Sequence, residues 1–203
     1  MTREIESEDF LQDFLEEFFL KDRKVFLWGE IDTGLSLRVV QQLKYLYNKD
    51  RENPIILYVN SGGGEVEAGL AIIDEITNIV KSGTEIWVVV QGQACSMGAY
   101  LLSAGTYSYA TQNSTIMLHP IWGESVEENN NKLKRSVDFY TKKEEILFKS
   151  IAKKCNKTAP AKFKLLKEEI EKTLWLSADD AKKYGLINDI WQYEWEKQEK
   201  NID

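Results

Sequence analysis

The spacing of apolar positions changes several times along the chain, and each change marks an element. Between residues 7 and 20, Phe10, Leu11, Phe14, Leu15, Phe18 and Phe19 recur at helical spacing opposite Glu and Asp, which predicts an amphipathic helix. Val25-Phe26-Leu27-Trp28 is a short apolar run closed by Gly29, the pattern of a buried strand. Leu37, Val40, Leu43 and Leu46 return to helical spacing. Pro54 then introduces Ile55-Ile56-Leu57-Tyr58-Val59, too continuously apolar for a half-exposed strand. A glycine-rich turn, Ser61-Gly62-Gly63-Gly64, leads into Val66, Leu70, Ile73 and Ile76, a further helix. Ile86-Trp87-Val88-Val89-Val90 predicts another buried strand, Gln91-Gly92-Gln93 a turn, and Ser96 to about Ala104 a helix of small residues.

Strand, turn and helix repeated in this way predict an α/β fold with a parallel sheet and right-handed crossovers. In such sheets ligands bind beyond the carboxyl ends of the strands, where both glycine turns and Ser96 fall. A short strand, Thr115 to Leu118, precedes His119. Residues 126–154 read as one long, highly charged helix carrying Leu133, Val137, Tyr140, Ile146 and Ile151. Ser177-Ala178-Asp179-Asp180 reads as an N-cap with an acidic first turn, and Gly185 as the residue that ends that helix.

Composition narrows the function classes. A chain of 203 residues with 43% apolar side chains fits one domain with a real core, expected to span 1–203. The net charge of −7 and the interleaving of Lys with Glu exclude a nucleic-acid-binding face. No apolar run approaches the roughly 20 residues that span a bilayer. Met1-Thr2-Arg3-Glu4-Ile5-Glu6 lacks the charged-then-apolar order of a signal peptide, so a cytoplasmic location is expected. Cys95 and Cys155 make neither a disulfide framework nor a metal-ligand set, and no metal is expected.

The chemistry centres on one residue, because His119 is the only histidine. Imidazole alone among side chains exchanges a proton near neutrality without a perturbed pKa. Upstream, Gly92-Gln93-Ala94-Cys95-Ser96-Met97-Gly98-Ala99 sets Ser96 where a strand gives way to a helix, so its hydroxyl would point outward. A serine hydroxyl needs such a neighbouring base to become a nucleophile. The string is not G-x-S-x-G, since Ala94 replaces the first glycine, and a helix-capping serine is the plainer alternative. The Gly62-Gly63-Gly64 turn could aim a backbone N–H at a developing oxyanion, with the N–H of Met97 as second donor. A phosphate cradle is disfavoured, because Glu65 and Glu67 follow and no Lys or Arg is near; a plain turn stays open. Cys95 is a rival nucleophile, although adjacent side chains at a strand end point different ways.

Four strings in order resemble the proteolytic subunits of the ATP-dependent Clp protease, the ClpP family. They are Tyr58-Val59-Asn60-Ser61-Gly62-Gly63-Gly64, Gly92 through Leu102, Met117-Leu118-His119-Pro120, and Leu176-Ser177-Ala178-Asp179-Asp180-Ala181 with Tyr184-Gly185-Leu186. The resemblance implies a ClpP/crotonase-type α/β fold of repeated βαβ units, with a mostly parallel sheet and a protruding handle helix at 124–155. Residues 1–20 would be the N-terminal axial segment and 192–203 a polar tail. It implies Ser96 as nucleophile, His119 as base, and Gly64 and Met97 as oxyanion donors. Peptide and protein substrates, heptameric rings stacked as a tetradecamer, and an AAA+ unfoldase are implied as well, with a second ClpP-like subunit as a further partner. No cofactor is implied, ATP being used by the unfoldase. Exposed aromatics such as Tyr47, Tyr107 or Trp122 are candidates for its dock.

Two departures stand out. The family's third catalytic residue, usually Asp, lies four residues before the serine of the Leu-Ser-Ala string, which here is Thr173. Threonine accepts a hydrogen bond but carries no charge, so the resemblance implies a weakened or conditional site, or recruitment of Glu171. The family also commonly has a residue between histidine and proline, whereas His119 and Pro120 are adjacent, which restricts His119 to extended backbone. Three classes therefore stand: a serine endopeptidase, a regulatory ring subunit, and a crotonase-like acyl-CoA enzyme that needs no Ser/His pair.

Overall fold

Alternation along the strands sorts side chains onto two unlike faces of one sheet. The structure, a computed structural model, describes residues 14–121, 130–193 and 195. After helix α1, described over residues 14–21, the order is β1 (Lys24–Trp28), α2 (Thr33–Lys49), β2 (Ile55–Ser61), α3 (Val66–Lys81) and β3 (Ile86–Cys95). Then come α4 (Met97–Tyr100), β4 (Tyr107–Ala110), β5 (Thr115–Leu118), α5 (Asn130–Lys154), α6 (Pro160–Glu171), β6 (Leu174–Ser177), α7 (Ala178–Tyr184) and β7 (Asp189–Ile190). Strands β1-β2-β3-β4-β7 lie side by side in parallel, β5 pairs with β3 in parallel, and β6 joins β5 antiparallel. The expected α/β architecture with a mostly parallel sheet is what the chain adopts.

On one face Val25, Leu27, Ile55, Leu57, Ile86 and Val88 meet the apolar stripes of the helices. Asp32 caps α2 by accepting the Leu35 N–H at 2.7 Å, and Leu35, Val39, Leu43 and Leu46 are buried. α3 buries Ala68, Gly69, Ile72, Ile76 and Ile79, and the Ser36 hydroxyl ties the two helices by donating to the Ala68 carbonyl at 2.9 Å. The intervening side chains face the other way and include aromatics: Tyr58, Trp87 and Tyr109 meet Trp191, which follows β7, edge-on or tilted, and Phe26 stacks on Tyr58. Both faces are thus covered, which is why β2 reads as a continuous apolar run.

The predicted turn at Gln91-Gly92-Gln93 is a correction: β3 runs through it to Cys95. Gly92 takes φ +100°, and the register to β2 slips between Val59 and Ser61, the signature of an irregular, bulged pairing rather than a chain reversal. At this kink β3 changes partner, pairing β4 over Trp87–Val90 and β5 over Gln93–Cys95. The carboxyl end of β3 is thereby carried beyond the main sheet. Strands β4, β6 and β7 and helix α6 are additions to the sequence reading. Parts of the first helix, the handle region, the polar tail and Trp122 lie outside the described residues. Tyr47 is half-buried under the Arg51 guanidinium, and Tyr107 is exposed.

Candidate active site

The site is assembled where β1, β2 and β3 end. Ser61, buried at the close of β2, accepts the Gly63 N–H on its hydroxyl at 3.0 Å and so shapes the glycine turn. The segment after β1 fixes the other side: the Ile31 N–H donates to the Gly63 carbonyl at 2.8 Å, and the Glu65 N–H to the Ile31 carbonyl at 2.7 Å. Between these bonds the Gly64 N–H has no acceptor among the described residues, and Gly64 is exposed. Only glycine fits there, because a Cβ on Gly64 would lie 2.2 Å from the Ile31 carbonyl oxygen and its φ is +148°.

Ser96 follows β3 directly and holds φ +52°, ψ −125°, a backbone region costly for a residue with a side chain. Its N–H donates to the Met117 carbonyl at 2.8 Å, and its own carbonyl accepts the Ala99 N–H at 3.0 Å. These bonds force the sharp strand-to-helix turn that the sequence predicts. Met97 is the first residue of α4, where backbone N–H groups have no helical acceptor. Its side chain fills the space left by Gly69 on α3. Gly63 packs against Ser96 so tightly that an added Cβ would meet the serine Cβ at 2.6 Å. A groove of about 510 Å³ is lined by Trp28, Glu30, Asn60, Gln93 and the Gly62–Gly64 turn; Ser96 and His119 do not line it, and it adjoins Ser96 only through Gly63. A larger hollow of about 590 Å³ lies between α1, β1 and α2, and neither Ser96 nor His119 borders it.

Strand pairing brings the other candidates alongside. Cys95 pairs with Met117 in β5, so His119 lies two residues on in the neighbouring chain. Leu118 pairs with Leu174 in the antiparallel β5–β6 ladder, and the next step of that register sets Thr173 opposite His119. Thr173 has φ +63° and donates its N–H to the Ile170 carbonyl at 2.9 Å, terminating α6. Glu171 is the exposed last residue of α6. Ser96, His119, Thr173, Gly64 and Met97 therefore gather at one end of the sheet.

Two side chains near His119, Glu144 and Tyr100, escaped sequence reasoning. The ring Nδ1 lies 2.5 Å from the Pro120 carbonyl oxygen, the Ile121 N–H donates to the Glu144 carboxylate at 2.8 Å, and the Tyr100 hydroxyl donates to the His119 carbonyl at 3.4 Å. Burial, then the Glu144 charge, pushes the Tyr100 phenol well above its ordinary value, so it remains a donor. Of these only the His119-Pro120 adjacency left a sequence signal. Cys95 is buried, and burial raises its thiol, which lowers the thiolate fraction a nucleophile needs. Among the described residues no group of His, Cys, Asp and Glu could hold a metal ion.

Comparison with known proteins gives the family. The family model described as Clp protease matches residues 7–194. The ATP-dependent Clp protease proteolytic subunit 2 of Prochlorococcus marinus (strain NATL2A) is 36% identical over 171 residues, covering 83% of this chain and 82% of the relative. Proteolytic subunit 3 of Synechococcus sp. (strain CC9605) and that of Parasynechococcus marenigrum (strain WH8102) are each 35% identical over the same shares. A match of this extent places the chain in the Clp protease family as a Clp-type serine endopeptidase.

Proposed function

We propose that peptide-bond cleavage runs through Ser96 with His119 as general base. The observation that carries this is Ser96 itself, held at φ +52° at a strand-to-helix elbow beside the chain that bears the only histidine. His119 Nε2 takes the Oγ proton as Oγ attacks the scissile carbonyl carbon. The resulting oxyanion is held by the N–H groups of Gly64 and Met97. The imidazolium returns the proton to the leaving amine, the C–N bond breaks, and an ester to Ser96 remains. Water, deprotonated by His119, then releases the carboxylate and regenerates the serine.

The groove of about 510 Å³ is the place for an extended peptide, since its walls carry backbone and polar groups at the strand ends. Thr173 stands where the family has an acid, which supports a rate below that of acid-bearing relatives. By family likeness the chain works in heptameric rings stacked as a tetradecamer, with α5 as the joining handle and an AAA+ unfoldase feeding unfolded chains. A second ClpP-like subunit in the ring is part of the same proposal, as is a cytoplasmic location. No helix among the described residues is long and apolar enough to cross a membrane. The test is intact-mass analysis after reaction with a fluorophosphonate. One adduct on Ser96 that disappears in His119→Ala is expected, and adduct formation independent of His119 would refute the assignment.

A further inference from the structure

We infer that Glu144 is a positioning residue for His119, acting through the Pro120–Ile121 peptide. The inference rests on the reading of His119 as the base. A carbonyl oxygen can only accept, so the Pro120 carbonyl at 2.5 Å requires the neutral ring to carry its proton on Nδ1. The lone pair then lies on Nε2, the tautomer a base facing a serine needs. The adjacency of His119 and Pro120 makes this contact possible, because the ring folds back on the very next carbonyl.

That carbonyl belongs to the same peptide unit whose N–H, on Ile121, donates to Glu144 Oε1 at 2.8 Å. Carbonyl and N–H are conjugated through the partial double bond. A carboxylate on the N–H pushes electron density toward the oxygen, which becomes a better acceptor for the imidazole proton. The path is Nδ1–H to carbonyl, across one peptide, and N–H to carboxylate. It sets the charge within roughly 8 Å of the ring, given standard peptide dimensions. Negative charge at that range stabilises the imidazolium that forms during attack.

The segment is also clamped. Tyr100 on α4 donates to the His119 carbonyl, Glu144 on α5 holds Ile121, and Pro120 fixes its own φ. Lys143, next to Glu144 on α5, pairs with Glu67 at 2.7 Å. Glu171 and Lys172, which precede Thr173 in the chain, are both exposed. The thiol of Cys95 ends β3, buried and raised.

The experiment uses the full chain. The second-order rate of fluorophosphonate addition to Ser96 is measured from about pH 5 to 9, across the histidine range, in wild type, Glu144→Gln, Glu144→Ala and His119→Ala. Gln keeps an acceptor for the Ile121 N–H and removes only the charge. Glu144→Gln is expected to react about three- to tenfold more slowly, with its pH midpoint moved to lower pH, and Glu144→Ala at least as slowly. Because the chain has one histidine, nitrogen NMR of a His-labelled sample reads tautomer and titration directly, even in a variant with altered activity. The Nδ1–H tautomer and a lower midpoint in Glu144→Gln are expected. An Nε2–H tautomer overturns the inference. So does Glu144→Gln with wild-type rate and midpoint while His119→Ala is unreactive, and in that case the base assignment survives. Labelling that ignores His119 removes both.

Discussion

Alanine at Gly63 separates the cost of an unfavourable backbone from the cost of disturbing the nucleophile. Gly63 and Gly83 share φ +104°, but a Cβ on Gly83 meets nothing within 4 Å. On Gly63 it would lie 2.6 Å from the Ser96 Cβ, 2.9 Å from the Cys95 carbonyl oxygen and 3.2 Å from the Ser96 Oγ. None of these is the loose end of a flexible side chain, and Ser96 is pinned by its bond to Met117, so no rotamer change relieves the overlap. The backbone term is about 1–2 kcal/mol for either variant. Overpacking adds about 1–3 kcal/mol at Gly63 alone. Gly83→Ala should therefore lower the unfolding free energy by about 1–2 kcal/mol and Gly63→Ala by about 2–5 kcal/mol in urea titrations. Displacing Ser96 by even about 1 Å should slow fluorophosphonate labelling roughly 100-fold in Gly63→Ala, and leave Gly83→Ala at the wild-type rate. Equal stability losses in the two variants, with labelling of Gly63→Ala within twofold of wild type, would refute the argument that Gly63 is glycine because Ser96 leans on it.

Three further outcomes are expected. Thr173→Asp should raise the labelling rate about ten- to a hundredfold, less than the ~10⁴-fold associated with an acid partner in chymotrypsin-like triads, because the Pro120 carbonyl already holds Nδ1. It should cost no stability, since Asp tolerates φ +63° better than a β-branched residue; an unchanged rate would show that position 173 does not address the histidine. Cys95→Ala should retain labelling, and native protein should resist thiol reagents at neutral pH, because burial raises Cys95 and pushes Cys155 up to about 11. Rapid loss of activity on alkylation would contradict this. Asp50 is held below its ordinary 3.8 by the Asn53 amide and the Glu52 N–H, and Glu67 and Glu145 below 4.5 by Lys143 and Lys167. Depressed carboxylates give stability that is present above the unfolded values and lost as pH falls through the folded ones. Urea midpoints should therefore be level from neutral pH to about 5 and decline below that; a decline beginning near neutrality would point to His119 instead.

The elements with strong period were legible, and the ones that depend on pairing were not. β1, β2, α2 and α3 follow from apolar spacing because each buries a face against the others. Gly92 was misleading, since the same residue type serves a chain reversal and a bulge, and only the change of partner from β4 to β5 distinguishes them. β6 carries Leu174 and Leu176 toward one side, but its place is set by pairing with a strand far back in the sequence. Ser96, His119 and the glycine turn could be named because rare chemistry and special backbone leave marks in single residues. Glu144 could not: it is one of many Glu among Lys on a charged helix, and its partner is a backbone N–H that any residue at 121 would offer.

The adjacency of His119 and Pro120 and the threonine at 173 bear on one question, which group orients the imidazole. An acid at 173 would reach the ring from β6 and fix its tautomer from outside the histidine's own chain. With threonine there, the ring is fixed from within that chain, by the next carbonyl, and the carboxylate acts one peptide away from α5. The two departures are then coupled rather than independent losses. Inserting a residue between His119 and Pro120 should remove the contact to the Pro120 carbonyl and slow Ser96 labelling more in the Thr173 protein than in Thr173→Asp, where a carboxylate can take Nδ1 directly. Equal slowing in both backgrounds would mean that the histidine loop and position 173 act separately.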